Sequence, residues 1–320
     1  MEQSESLFPC EAIGDAPLVT ALVITYNHGR YIEAALESVL RQSTTFAVEI
    51  IVSEDASRDG TREIVIEFAR RHPDRIRPLL SMRNVRSNEV VARGLRLARG
   101  RYVALLDGDD WWCDPDKLQR QFDFLEANPR CTAVFHNALV AVGDQLTDRR
   151  WTRQQAARSW TFADLIEGNP FATCAGMMRT ECVRGVPDWY ADFFPITDWP
   201  LYLLCAMQGD LRFEDEISGV YRLHEGGAFS SQSTVEMHRA VEGFYRRLAR
   251  VRDPRLATAA GGGCSRYFFD WAWIYLREGD LRLARSCFRR SLFGGGLGRT
   301  ISPREMLRLG LRLALTSVVH

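Results

Sequence analysis

The segment YVALLDGDDWW, residues 102–112, decides how this chain is read. Tyr102 to Leu106 is an unbroken apolar run, suited to a strand buried on both faces. It feeds directly into Asp107-Gly108-Asp109-Asp110, three carboxylates within four residues. Oxygen ligands this dense suit Mg2+ or Mn2+, which keep positions open for water and substrate phosphates. The plain alternative is a solvated Asp-Gly turn. Trp111 and Trp112 then read as an aromatic wall or as two core aromatics.

The same pattern recurs on the amino-terminal side. Leu18 to Ile24 is a second buried strand, and the turn Thr25-Tyr26-Asn27-His28-Gly29 leads into a helix with Ile32, Leu36, Val39 and Leu40 on one face. Val48 to Val52 is a third strand, ending in Ser53-Glu54-Asp55; a helix presenting Ile64, Val65 and Phe68 follows it. Ile76 to Leu80 is a short strand, and Val90 to Ala98 a helix with Leu95 inward. Strands alternating with helices predict right-handed βαβ units and a mostly parallel sheet. Ligands of such sheets bind beyond the carboxyl ends of the strands. Three of those ends carry polar groups: Thr25-Tyr26-Asn27, Glu54-Asp55 and Asp107 to Asp110. No G-x-G-x-x-G follows the first strand and no G-x-x-x-x-G-K-[ST] occurs, so dinucleotide and P-loop readings fail. A nucleotide bound here must be handled by carboxylates and a metal.

Five motifs, in order, resemble the family 2 glycosyltransferases of GT-A fold: VITYNH at 23–28, SEDASRDGT at 53–61, LLDGDDWW at 105–112, ITDWP at 196–200 and YRLHEGG at 221–227. The resemblance runs from about residue 18 to 230. It implies an α/β GT-A (Rossmann-like) fold, a mostly parallel central sheet flanked by helices. It also implies a nucleoside-diphosphate sugar donor, a hydroxyl acceptor and a divalent metal, Mn2+ or Mg2+. Carried across residue by residue, Thr25, Tyr26 and Asp55 belong to the nucleotide pocket, with Asp55 accepting a hydrogen bond from the base. Glu54 stands where the family usually has a first Asp. Asp107-Gly108-Asp109 resembles the D-x-D motif, Asp107 lying nearer the ribose and Asp109 binding the metal directly. Asp198 falls at the catalytic base and His224 at a further metal ligand. Asp110, Trp111, Trp199 and Arg222 are candidates for water-mediated metal or substrate contact.

The chemistry can be argued from the residues as well. A diphosphate leaving group gathers negative charge as the glycosidic bond breaks, and a cation held by Asp109 offsets it. Asp198 can take the acceptor hydroxyl's proton. One base without a protein nucleophile implies inversion, whereas glycoside hydrolysis needs a carboxylate pair. Three single residues have ordinary alternatives: Asp198 as a helix cap, His224 as a structural histidine, Trp199 as core. Other readings are transfer to a lipid-linked phosphate at the same site, and a silent nucleotide-sugar-binding scaffold on the same fold. His28, His72 and His136 receive no role from the sequence.

Composition sets the outer bounds. At 320 residues, 46% hydrophobic and 26% charged, the chain can bury a large core. Forty-one basic and 41 acidic residues cancel, which argues against a nucleic-acid binder. From Arg246 onward there are 15 Arg and 5 acidic residues, against 26 basic and 36 acidic before it, so about +10 faces −10. The charge asymmetry suggests two units with different jobs, and the reach of the resemblance implies an N-terminal extension (1–17), a GT-A domain (18–232) and an Arg-rich helical region (233–320). Of the basic residues only Lys117 is lysine. Eight cysteines without C-x-x-C, a polar start and no 20-residue apolar run predict reduced thiols and a cytoplasmic protein.

Between 130 and 230 the pattern is looser. Thr132–Val142 reads as a strand, 143–159 as a polar loop, Asp198–Met207 as a helix and 220–222 as a short strand. His224 to Ser230 is Gly-rich, as a lid over donor would be. Beyond 235, Gly261-Gly262-Gly263 and Gly294-Gly295-Gly296 are expected to break helices, with a helical hairpin turning at Gly279-Asp280. In 301–316, Met306, Leu309, Leu313 and Ala314 share one side, with Leu307 at its edge. Arg304, Arg308 and Arg312 share another, with Glu305 and Thr316. Such a helix either packs on the hairpin or lies on an anionic membrane surface, peripheral on its inner face.

Overall fold

In a computed structural model of the chain, residues 6–7, 16–152, 156–227, 232–293 and 301–315 are described. They divide into two compact units. One comprises the chain up to Phe162 and from Pro170 to Ser233; the other comprises Ala163–Asn169 and the chain from Thr234 on.

The first unit is built on one eleven-stranded sheet. Its strands are β1 (Ser6–Leu7), β2 (Val19–Thr25), β3 (Val48–Glu54), β4 (Ile76–Leu80), β5 (Tyr102–Asp107), β6 (Trp111–Trp112), β7 (Cys131–Val142), β8 (Gln145–Arg150), β9 (Arg158–Trp160), β10 (Gly176–Arg179) and β11 (Asp210–Leu223). The order is β1-β4-β3-β2-β5-β10-β7-β11-β6, with β8 paired to β7 and β9 to β11. From β4 to β5 the ladders are parallel, joined by α1 (Ile32–Leu40), α2 (Thr61–Arg71) and α3 (Glu89–Leu97). These strands are buried almost throughout, as apolar runs covered on both faces must be.

Beyond β5 the sheet departs from the mostly parallel expectation. β10 lies antiparallel to both β5 and β7, and β6, β8 and β9 are antiparallel additions; only β7–β11 is parallel. The polar stretch 143–159 contains β8 and β9 rather than only a loop. The expected short strand at 220–222 is the end of a 14-residue strand. Its register shifts at three points against β7, and those shifts hid its period-2 pattern.

The second unit contains helices Thr234–Leu248, Pro254–Glu278, Leu281–Phe293 and Pro303–Leu315. Gly261-Gly262-Gly263 does not break a helix; Pro254–Glu278 runs through it. A Cβ at Gly263 would lie 2.2 Å from the Ile166 carbonyl oxygen, so glycine here allows close approach rather than a turn. The hairpin turn is at Gly279, at φ 85°. Met306, Leu309 and Leu313 join Phe268, Phe269 and Ala284 in this unit's core, while Ala314 and Leu307 are exposed. Gly294–Gly296, Thr316, and the Ala228–Ser230 part of the expected lid lie outside the described residues. Among the described residues, no helix is long and apolar enough to cross a membrane, and the seven described cysteines are free thiols.

Candidate functional site

Strand order reverses around β2. β3 and β4 extend the sheet one way and β5 the other, so a crevice opens at the carboxyl ends of β2, β3 and β5. Register places the site there: Thr25 lies opposite Glu54, and Ile24 opposite Asp107. The turns after these strands bring together Thr25 to His28, Asp55 and Asp107 to Asp110.

On one side lies Asp55, buried in a polar cradle. Its carboxylate accepts from the Ser81 hydroxyl at 3.1 Å and from the Val85 amide at 3.1 and 3.2 Å. Burial is the largest influence on it and lifts its pKa, against those donors and the Arg93 charge. Buried Arg93 also braces the cradle through the Ser53 hydroxyl at 2.8 Å and the Glu54 carbonyl at 3.0 Å. Glu54 turns away to Arg62 and the Ser57 amide, so it supports the turn. Among described non-glycine residues, positive φ occurs at Asn27 (55°), Ala56 (60°) and Arg86 (46°). All three follow Thr25, Asp55 or Val85 by one or two residues, and such strain concentrates at ligand sites. Tyr26 is 37% exposed, whereas Thr25 is buried.

On the other side lies the acidic turn. Gly108 is obligatory: a Cβ there would stand 2.7 Å from Thr25 Oγ1 and 3.0 Å from His28 Nδ1. Asp109 Oδ2 meets His224 Nε2 at 2.8 Å and His28 Nε2 at 3.6 Å. One ligand atom from each of these three residues lies within 4.8 Å of the others. Burial pushes Asp109 up, but the charge of His28 and the His224 hydrogen bond outweigh it and hold the carboxyl below its ordinary range. Burial dominates at His28 and lowers its pKa despite the opposing charge of Asp109. A carboxylate beside two imidazoles is a donor set that fits a divalent transition-metal ion.

Neighbouring residues shape this turn. Asp110 is 2% exposed; its Oδ1 accepts the Arg222 amide at 2.8 Å, while Oδ2 has no hydrogen-bond partner. Burial, then the charges of Asp109 and Asp107, push its pKa well up. The Arg222 guanidinium lies between the rings of Tyr31 (4.3 Å) and Trp111 (4.6 Å). It donates to the Asp109 carbonyl at 2.8 Å and pairs with Asp144 at 3.0 Å, so its carboxylate partner comes from outside the acidic turn. Asp107 is pushed up to about 8, first by burial, then by the charges of Asp109 and Asp198. Asp198 opens the helix Asp198–Ala206, accepting the Trp199 amide at 2.7 Å; Thr197 holds the cap position. Trp199 is only 4% exposed and belongs to the buried face of that helix.

His28 escaped the reading of the sequence. Its signal was faint: a histidine one turn beyond a buried strand, in the loop that carries Thr25 and Tyr26. Elsewhere, in the helical unit, a cavity of about 380 Å3 is lined by Glu242, Arg246, Cys264, Phe268 and Arg290 among others. There Glu242 already meets both Arg246 and Arg290.

Known proteins resemble this chain in sequence and fold. Residues 20–182 match the model of glycosyl transferase family 2. The uncharacterized protein Rv1520 of Mycobacterium tuberculosis is 35% identical over 211 residues, 66% of this chain and 60% of that protein. The putative glycosyltransferase EpsE of Bacillus subtilis is 34% identical over 176 residues, 54% of this chain and 60% of its own. The match thus spans about three-fifths of each relative's length. The mannosyltransferase PcManGT from Pyrobaculum calidifontis, solved with GDP-Man and Mn2+, has the same fold: TM-score 0.56 and 18% identity, covering 99% of this chain and 84% of that one. The family model matches half of the sequence, and the chain belongs to glycosyl transferase family 2.

Proposed function

We propose that this chain is a metal-dependent, inverting glycosyltransferase that moves a sugar from a nucleoside-diphosphate sugar to an acceptor hydroxyl. One observation carries the reading: a polar cradle at Asp55 and a carboxylate–imidazole cluster at Asp109 lie at the crevice where strand order reverses. Asp55 and the turn Thr25-Tyr26 receive the nucleoside, and Asp107-Gly108-Asp109 faces ribose and diphosphate. Asp109 and His224 would hold a divalent cation, which would supply positive charge to the departing diphosphate. Asp198 accepts the acceptor's proton. Because no second carboxylate is assigned as a nucleophile, the sugar is displaced once and its anomeric configuration inverts. Arg222 and Asp110 fix the acidic turn through the Asp109 carbonyl and the Arg222 amide. The likeness to a mannosyltransferase solved with GDP-Man and Mn2+ agrees with this donor class and metal.

A screen of nucleoside-diphosphate sugars by thermal shift with Mn2+ tests the reading. At least one donor should raise the melting temperature of the full chain, since binding to the folded state alone stabilises it. The same donor should leave Asp109→Ala unshifted; an equal shift in both would remove Asp109 from the site.

The last helix adds a membrane-facing reading. Its inner row is buried, yet Leu307, Leu311 and Leu315 on the outside are 64%, 53% and 67% exposed, beside exposed Arg304 and Arg308. A leucine row flanked by arginines suits the headgroup region of an anionic bilayer.

A further inference from the structure

We infer that His28 is a third protein ligand of the metal site, and that its imidazole makes the site select Mn2+-like cations over Mg2+. The inference rests on the metal reading above and goes beyond it, since that reading needs only Asp109 and His224.

The turn that carries His28 is fixed on both sides. The His28 carbonyl accepts the Tyr31 and Ile32 amides, both at 2.8 Å, so it starts α1. Asn27 and Gly29 are tied to the turn after β3: the Asn27 amide donates to Ser57 Oγ at 2.9 Å, and the Gly29 amide to Asp59 Oδ2 at 2.9 Å. The Arg58 amide returns a bond to Asn27 Oδ1 at 2.9 Å. So anchored a loop fixes the direction in which the His28 Cα–Cβ bond is aimed.

That aim brings Nε2 of His28 to the same carboxylate oxygen that meets His224. Ligands about 2.1–2.2 Å from a common ion can stand up to roughly 4.4 Å apart. The separations of 2.8 and 3.6 Å lie inside that span. The two imidazoles cross edge to face, with centroids 6.2 Å apart and planes at 78°. They therefore approach Asp109 from different directions instead of stacking. The remaining nitrogen of His28, Nδ1, is buried without a hydrogen-bond partner, as is Thr25 Oγ1; both lie against the Cβ-less face of Gly108.

Two imidazoles and one carboxylate form a borderline donor set. Mg2+ prefers oxygen and sheds water reluctantly, whereas nitrogen ligands favour later first-row cations. His28 shifts the balance from an oxygen-led site toward a nitrogen-led one.

The test is Mn2+ binding by the full-length chain without donor, read as loss of the free Mn2+ electron paramagnetic resonance signal, with Mg2+ as competitor. The wild type should bind one Mn2+ and yield it poorly to Mg2+. His28→Ala should weaken Mn2+ binding about tenfold or more, the scale at which even supporting residues of metal sites act. His28→Gln, which keeps bulk and offers an oxygen, should lower the ratio of Mn2+ to Mg2+ affinity while circular dichroism stays unchanged. Wild-type Mn2+ affinity and selectivity in both variants would overturn the inference, as would a wild type that binds no Mn2+. Asp109→Ala separates the two levels of argument: if it loses Mn2+ while both His28 variants keep it, only the role of His28 falls. If Asp109→Ala keeps Mn2+ as well, the metal reading falls with it.

Discussion

The two ends of the central strands bury carboxylates in opposite ways. At the amino end, Glu49 of β3 is fully buried and fully answered. Its Oε1 accepts the Thr20 hydroxyl at 2.6 Å and the Arg99 amide; its Oε2 accepts Arg77 at 3.1 Å and Arg99 Nε at 2.9 Å. Burial raises its pKa, but these donors outweigh burial and hold it below the ordinary value. At the carboxyl end the accounts stay open. Asp107 rises to about 8, Asp110 is pushed well above its usual range, and Asp110 Oδ2, Thr25 Oγ1 and His28 Nδ1 lack partners. A buried charge that is completely paired holds a fold together, whereas clustered charges left partly unanswered mark where a ligand completes the structure.

Substitutions at the two ends should therefore fail differently. The largest effect is expected at Asp109→Ala: transfer is lost outright while the melting temperature without donor barely moves. Full turnover at saturating Mn2+ in the folded variant would erase the distinction between the ends. Asp198→Asn should keep donor affinity and cut turnover by a factor on the order of 10² to 10⁴, as loss of a general base does. Steady-state kinetics would instead assign Asp198 to the donor pocket if the variant lost donor affinity and kept its turnover.

Glu49→Ala should show the reverse profile. Removing one partner of a buried ion network costs on the order of 3 kcal/mol, discounted here because Arg99 is partly exposed. Urea unfolding at pH 7 should reveal that loss, with kcat per folded molecule unchanged. The pH sign follows from the lowered pKa of Glu49. Its contribution is present above the ordinary value of 4.5 and disappears as pH falls through the lower folded value. The stability gap between wild type and Glu49→Ala should thus close on acidification. A gap that widened below pH 4 would contradict the pairing.

The smallest effect concerns the last helix. Full-length chain should co-sediment with phosphatidylglycerol-containing vesicles in a salt-sensitive manner, and Leu307→Glu with Leu311→Glu should weaken it severalfold. Binding that ignores both salt and the leucines would leave this helix a purely internal element.

How much of this was legible in the sequence follows the same divide. β2 to β5 were legible because strands buried on both faces are plain apolar runs, and because polar residues crowd their carboxyl ends. Asp55, Asp107, Asp109 and His224 could be named from motifs, and the structure brings Asp109 and His224 to 2.8 Å. β10 and β6 were not legible; four and two residues carry no period, and their place depends on partners distant in sequence. β11 was cut short by its register shifts. The helix through Gly261-Gly262-Gly263 was misread because glycine marks close approach as well as turns, and only the position of Ile166 tells which. The place of His28 beside Asp109 was missed because it depends on where a loop aims a ring. Spacing within VITYNH does not reveal that.

The most direct test of the central claim is an anomalous difference map from crystals of the full chain grown with Mn2+ and the donor found by the thermal-shift screen. The account expects a Mn2+ peak within coordination distance of Asp109, with the base of the donor against Asp55. A Mn2+ peak away from Asp109, with the nucleotide bound outside the crevice of β2, β3 and β5, would contradict it.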